Sequence, residues 1–317
     1  MFISMNEAGK FLEGCDNVYI FTHQSPDGDC TGAGFALHDI LRNMGKKSAV
    51  LCSDEFPEKF NFITNTENNA DFTPETFITV DIADTKLMGK YAEIYGDKIN
   101  LCIDHHISNK DYAERTLLES DSAAACQVLY KLACTMGIEL SDYSAGCIYT
   151  GIATDTGCFK FESAGAETHE IISEIMRHHK LNYAKINREM FDVKSKKRLE
   201  MESTVIKNME YHLDGKLTII CVTDDMVKEN NLLPDDLDGL TAISLQAEGV
   251  EVGITIKGGT NDEYKISMRS ANDINVSEIC KSFGGGGHIK ASGCKITGNL
   301  DNVKKSLIDA VRKGLEK

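Results

Sequence analysis

The chain has 317 residues, more than one ordinary domain needs, and its 42% apolar content with only 4 prolines suits a folded protein of two domains. A net charge of −15 works against binding long nucleic acid, which rests on many Lys/Arg–phosphate contacts. It does not exclude a nucleotide or short oligonucleotide held locally, since bound cations would reverse the sign of the site.

No apolar run approaches the ~20 residues of a membrane span. Glu7, Lys10 and Glu13 interrupt the N-terminal stretch, unlike a secretory leader. None of the 11 cysteines has CxxC spacing, and several (Cys102, Cys147, Cys221) lie in apolar runs. Buried free thiols, a reducing compartment and a cytoplasmic location without a membrane partner are the expectation.

In chain order, residues 17–23 (NVYIFTH) read as a buried strand. Residues 31–44 read as a helix, with Leu37, Ile40, Leu41 and Met44 at helical spacing. Further strands are expected at 47–52, 77–80 and 99–103, and helices at 122–136 and 141–153. Strands alternating with helices predict an α/β domain, a parallel sheet with helices on both faces. The polar, helix-forming stretch 184–213 reads as a connecting helical segment, and its KSKKR run (194–198) as a solvated face.

Strands follow at 217–222, 250–257 and 263–269, the last two joined by the hairpin signal GGTND, and a closing helix at 301–315. The second domain is therefore a smaller α/β unit with an antiparallel component, its sheet mixed. The expected division is 1–185, a connecting segment at 186–213, and 214–317.

Ligands of open α/β sheets gather beyond the carboxyl ends of strands. His23, Asp81 and Asp104 all fall there. His23 opens HQSPDGDCTG, which adds Asp27 and Asp29; a helix cap accounts for one of these aspartates, but not for both with a histidine. Asp81 follows the apolar run FITV, and Asp155 lies in the turn ATDTGCF after an apolar helix. Asp104, His105 and His106 end the strand LCIDHH. Adjacent histidines point apart, so one can be a ligand while the other donates to a phosphate, and Asp104 can orient an imidazole. Carboxylates and imidazoles in this number suit a pair of divalent metals, Mn²⁺ better than Mg²⁺, and cleavage of a phosphate ester.

The GGGGH run at 284–288 can present backbone N–H groups to an anion, with His288 and Arg269 as further donors. His38, His169, His178, His179 and His212 read as structural.

Together the motifs HQSPDGD, VDIAD, DHH and TDTG, in that order, resemble the DHH phosphoesterase family. MRS (268–270) and FGGGGHIKASG (283–293) resemble its DHHA1 type of second domain. DHHISN, DTGCFKF and NVSEICKSFGGGGH are similar to the compact nanoRNase / pAp phosphatase group. The resemblance implies a DHH domain and a DHHA1 domain with the catalytic cleft between them. It implies hydrolysis of very short RNAs and dinucleotides to mononucleotides, and removal of the 3′-phosphate of pAp. Linear or cyclic di-AMP, or another small phosphorylated metabolite, are the alternative substrates.

By the same resemblance His23, Asp27 and Asp81 hold one Mn²⁺, and Asp29, Asp81, His105 and Asp155 the other, with Mg²⁺ or Co²⁺ as other candidates. His106, supported by Asp104, meets the substrate phosphate; Arg269, Gly285, Gly286, Gly287 and His288 bind it in the second domain. No long duplex nucleic acid is an expected partner, and a homodimer is compatible with the family. The chain departs from the commonest family form at Cys158 and Ser292, neither a proposed ligand.

Overall fold

The computed structural model describes residues 1–232, 237 and 239–316. The chain divides into two compact units, Met1–Val193 and Lys194–Lys317.

The first unit is built on five parallel strands: β1 (Val18–Phe21), β2 (Ser48–Leu51), β3 (Thr76–Val80), β4 (Leu101–Asp104) and β5 (Arg115–Leu118), in the order β2-β1-β3-β4-β5. The edge strand β5 carries no clear periodicity, and the sequence does not announce it. The order reverses between β1 and β3, so a crevice opens beyond their carboxyl ends, where the motif residues lie.

Five longer helices accompany the sheet: α1 (Met5–Gly14), α2 (Gly28–Asn43), α3 (Ala125–Thr135), α4 (Asp142–Asp155) and α5 (Ala166–His178). On one face Ile20, Ile78 and Ile103 pack against Phe35 and Leu41 of α2, Leu129 of α3 and Ile148 of α4. The other face is covered by short helical turns between Thr85 and Tyr95, through Phe21, Ile82, Met88 and an aromatic group including Tyr91 and Tyr95. The helix α2 starts earlier than its apolar spacing suggests. The Asp27 carboxylate accepts the Asp29 and Cys30 N–H groups and caps it at Gly28.

Close approach of α2, α3 and α4 depends on small residues. A Cβ on Gly32 would sit 2.5 Å from the Cys147 carbonyl oxygen, and one on Gly151 would sit 2.2 Å from Cys126 Sγ and 2.8 Å from Asp29 Oδ1. All eleven cysteines are free, and seven are buried.

The stretch at 184–213 is not one helix. A short helical turn at Tyr183–Asn187 and a wider one at Arg188–Asp192 end at Val193, whose backbone is extended. The Ser195 hydroxyl then caps α6 (Lys196–Lys207), and the chain continues into β6 (Glu210–His212). The KSKKR run is a pairing face: Lys194 and Arg198 both reach Glu202.

The second unit has a mixed sheet in the order β10-β11-β9-β8-β7-β6, from β7 (Leu217–Thr223), β8 (Val252–Gly258), β9 (Glu263–Ser270), β10 (Gly286–His288) and β11 (Ala291–Thr297). Among the described residues of this sheet, only β7 and β8 pair in parallel. The helices α7 (Val276–Lys281) and α8 (Leu300–Leu315) close its core through Ile279, Val303, Leu307 and Val311. Among the described residues no helix is long and apolar enough to cross a membrane.

The helix packing predicts that Gly151→Ala lowers stability by about 1–3 kcal/mol, the usual penalty for overpacking. Gly14→Ala, with nothing within 4 Å of the added carbon, serves as the control in the same chemical denaturation series.

Candidate active site

His23, Asp27, Asp29, Asp81, Asp104, His105, His106 and Asp155 all lie in the first unit. Three groups of their donor atoms, each within 4.8 Å of one another, could hold a cation: His23 with Asp27, Cys30 and Asp81; Asp81 with His105 and His106; Asp29 with His105 and Asp155. Asp81 belongs to two of them. Cys30 is the one member the sequence did not single out, because a cysteine opening an apolar helix face looks like core. Burial pushes its thiol up to about 12, so it stays protonated and a poor ligand.

The local fold aims each group. The Asp81 N–H continues the ladder beyond β3 to the Ile103 carbonyl (3.0 Å), and a left-handed turn (φ +60°) then tips its carboxylate into the crevice. Asp29, in the first turn of α2, caps a different helix. Its two oxygens accept the Ala125 and Cys126 N–H groups at 2.6 and 2.9 Å, where α3 begins without a cap of its own. Asp155 is the last residue of α4 rather than part of the turn after it.

The histidines are held in defined tautomers. Carbonyl oxygens only accept, so His23 Nδ1 donates to Gln24 O (2.8 Å) and His105 Nδ1 to Ser122 O (3.1 Å). Each Nε2 is left free. His23 Nε2 faces Asp27 Oδ1 and Asp81 Oδ2, both at 3.6 Å. His105 Nε2 faces Asp81, Asp155 and Asp29 at 3.5, 3.6 and 3.8 Å. These spacings are too long for hydrogen bonds but suit donors sharing a cation about 2.1 Å from each.

His106 differs. Its Nδ1 donates to Asp104 Oδ1 at 2.8 Å, so the ring is held by a carboxylate and its Nε2 remains for a substrate. Asp104 is fully buried and also accepts the His105 and His106 amides and Asn109 Nδ2. It therefore orients His106, whereas the neighbouring ring of His105 is oriented by the Ser122 carbonyl.

The electrostatics ask for cations. Burial, then the Asp81 and Asp155 charges, push Asp29 well above the usual carboxylate range. Burial pushes Asp155 up to about 6 against the pull of His105. Burial alone would raise Asp81, but His105 and His23 hold it below its usual range. Burial opposes a charge on His105, yet Asp81, Asp29 and Asp155 raise it to about 10. Protons thus stand where positive charge is needed. Asp81 Oδ1 is buried with no hydrogen-bond partner, although two imidazoles lie near it. An orphaned carboxylate oxygen among mixed N/O donors fits a divalent metal centre.

In the second unit, a cavity of about 560 Å³ is lined by Lys265, Arg269, Phe283, Gly285, Gly286 and Lys295, among others. Burial lowers the pKa of Arg269, whose Nη1 donates to the Met268 carbonyl. The glycine run is only partly a free amide surface. Gly284 and Gly285 donate to the Lys281 and Cys280 carbonyls and close α7, and the next residues form the edge strand β10. A Cβ on Gly285 would strike the Gly293 carbonyl at 2.2 Å, and Gly287 has φ +144°, so both have structural reasons to be glycine. Gly286 has nothing within 4 Å of its absent side chain and leaves the cavity open. His288 is exposed.

The five histidines read as structural each have a local partner: Ser48 and the Glu67 carbonyl for His38, the Gly165 carbonyl for His169, Glu174 for His178, Asp142 for His179 and Glu210 for His212.

The family model for the DHH family, N-terminal domain, matches residues 17–152, and that for the DHHA1 domain matches residues 217–316. The chain is 28% identical over 316 residues to the bifunctional oligoribonuclease and PAP phosphatase NrnA of Thermus thermophilus, covering 98% of this chain and 93% of that protein. It is 26% identical over 325 residues to the protein of the same name from Mycoplasma genitalium, covering 98% of each. Among solved structures, an exopolyphosphatase-related protein from Bacteroides fragilis superposes with a TM-score of 0.87 at 25% identity, over 98% of this chain and 95% of that one.

A cation entering this cluster displaces protons from Asp155, which holds one to about pH 6, and from His105, which holds one to about pH 10. Affinity for Mn²⁺ should therefore rise with pH from below 6 towards 10, with proton release on binding. Titration calorimetry in buffers of different ionisation enthalpy measures both; an affinity independent of pH would contradict this account.

Proposed function

The chain belongs to the DHH family of phosphoesterases, with a DHHA1 domain as its second matched region, and on that premise we propose that it hydrolyses very short oligoribonucleotides and pAp. The observation that carries this reading is the meeting of Asp29, Asp81 and Asp155 around His105 Nε2, next to His23 and Asp27. The names of two relatives, each a bifunctional oligoribonuclease and PAP phosphatase, support the substrate class.

In this reading His23, Asp27 and Asp81 hold one divalent cation and Asp29, Asp81, His105 and Asp155 the second, Mn²⁺ preferred. The bound pair supplies electrophilic charge and makes water a better nucleophile. The residues of the chain do the rest. The carbonyl partners of His23 and His105 hold each ring by its Nδ1–H, so that Nε2 is the atom aimed at a cation, which would displace the proton there. The hydrogen bond from His106 Nδ1 to Asp104 raises the basicity of His106 and presents Nε2 as a donor to a phosphoryl oxygen. In the second unit, Arg269 and Gly286, at its cavity, and His288 would bind a phosphate or nucleotide end. The acidic exterior of the chain, −15 overall, disfavours long strands.

An assay of Mn²⁺-dependent release from pAp, pApA, pGpG, short RNA, cyclic di-AMP and pyrophosphate tests this directly. Turnover of pAp and short RNA is expected, with long RNA a poor substrate at physiological salt. Pyrophosphate as the sole substrate would refute it. Asp81→Ala should abolish hydrolysis, while Arg269→Ala should mainly raise KM, by about tenfold for a lost charged hydrogen bond. Asp104→Asn should lower kcat about 10–100-fold, as loss of an orienting partner does.

A further inference from the structure

The turn after Asp155 has three successive residues in the left-handed region: Gly157 (φ +57°), Cys158 (φ +59°) and Phe159 (φ +61°). Two of them carry side chains that disfavour it. Neighbouring groups hold the turn closed. Cys158 N–H donates to Ala153 O at 2.7 Å and Phe159 N–H to Thr156 Oγ1 at 3.1 Å. Lys160 and Phe161 N–H both donate to Thr156 O. The strained turn sends its two phenylalanines different ways. Phe159 packs against Tyr149 and His169, with ring centroids at 6.3 and 5.7 Å. Phe161 stays 60% exposed.

That exposed ring is nevertheless positioned. Its distal edge folds back over Gly157, where a Cβ would lie 2.6 to 2.9 Å from three ring atoms. A second exposed apolar side chain lies on another segment, next in sequence to a residue of the cluster. Ile107, 84% exposed, follows His106 in a turn closed by Asn109 N–H to His106 O at 2.9 Å. Turn corners favour polar residues or glycine. Apolar groups on the segments that carry Asp155 and His106 have no use for a bare phosphate.

We propose that Phe161 is a stacking platform for a nucleobase of the substrate, and so the residue that favours nucleotides over other phosphate esters at this site. The proposal rests on the reading of the site as a nucleotide phosphoesterase. Aromatic faces accept any base, which suits an enzyme acting on short RNAs of varied sequence. The open face of the ring takes the base, Ile107 offers a further apolar contact, and the phosphate meets the charged cluster.

The test compares KM for adenosine 3′,5′-bisphosphate and for the corresponding abasic ribose bisphosphate, with Mn²⁺, in wild type, Phe161→Ala and Phe161→Trp. Phe161→Ala should raise KM for the adenosine compound about tenfold, the size of one base–aromatic stack, and Phe161→Trp should restore it. The rise for the abasic compound should be clearly smaller. Equal rises for both compounds, or no rise for either, would overturn the platform while leaving the phosphoesterase reading intact. A wild-type enzyme that hydrolyses neither compound would overturn both.

Discussion

Two hydrogen bonds from the Ala125 and Cys126 amides to Asp29 tie the start of α2 to the start of α3, and the geometry of the acidic cluster depends on them. The exposed N–H groups at a helix start favour a negative charge. They compensate part of the penalty of burying Asp29 beside Asp81 and Asp155. The bare α-carbon of Gly151 lets α4 come against the same carboxylate, and Asp155 ends that helix. Packing between helices and the position of charge are therefore one problem with one solution.

Capping and metal ligation are compatible roles for these aspartates. A carboxylate has about four lone-pair sites, and Asp27 and Asp29 each give hydrogen-bond sites to a helix while keeping others for a cation. The same economy governs the imidazoles of His23 and His105, which anchor through Nδ1 and leave Nε2 free. His106 is anchored instead on Asp104, which gives it a more basic ring and a donor facing outwards. Two neighbouring histidines acquire different chemistry from the partner each Nδ1 finds.

Much of this was legible in the residues. His23, Asp81 and Asp104 fall at strand ends, and a parallel sheet collects its strand ends on one edge. The hairpin at GGTND formed as its turn residues suggest, as Val252–Gly258 and Glu263–Ser270. Other features left weak traces. The strand Arg115–Leu118 lies at an edge, and the helical periodicity at 184–213 hid a break at Val193 and a new cap at Ser195. The glycine run suggested free amides, whereas two of its amides close a helix; Gly284 needs its positive φ, and Gly286 has neither a close neighbour nor a positive φ to explain it.

The sequence by itself determined the alternation of strands and helices, the two-unit organisation and the short list of candidate metal-ligand side chains that the fold brings together. These are encoded in local periodicity and in residue types placed within a few positions of each other. Only the tertiary structure decided which helix Asp29 caps, which carbonyl sets each tautomer, and that Asp81 stands between two groups of donors. Most of those outcomes depend on distant partners, as with Asp29 and Ala125, 96 positions apart, or His105 and Ser122, 17 apart; His23 alone finds its carbonyl next door, on Gln24. No local pattern records such a pairing, because it exists only once the strand order and the glycine-mediated helix contacts have brought the two segments together.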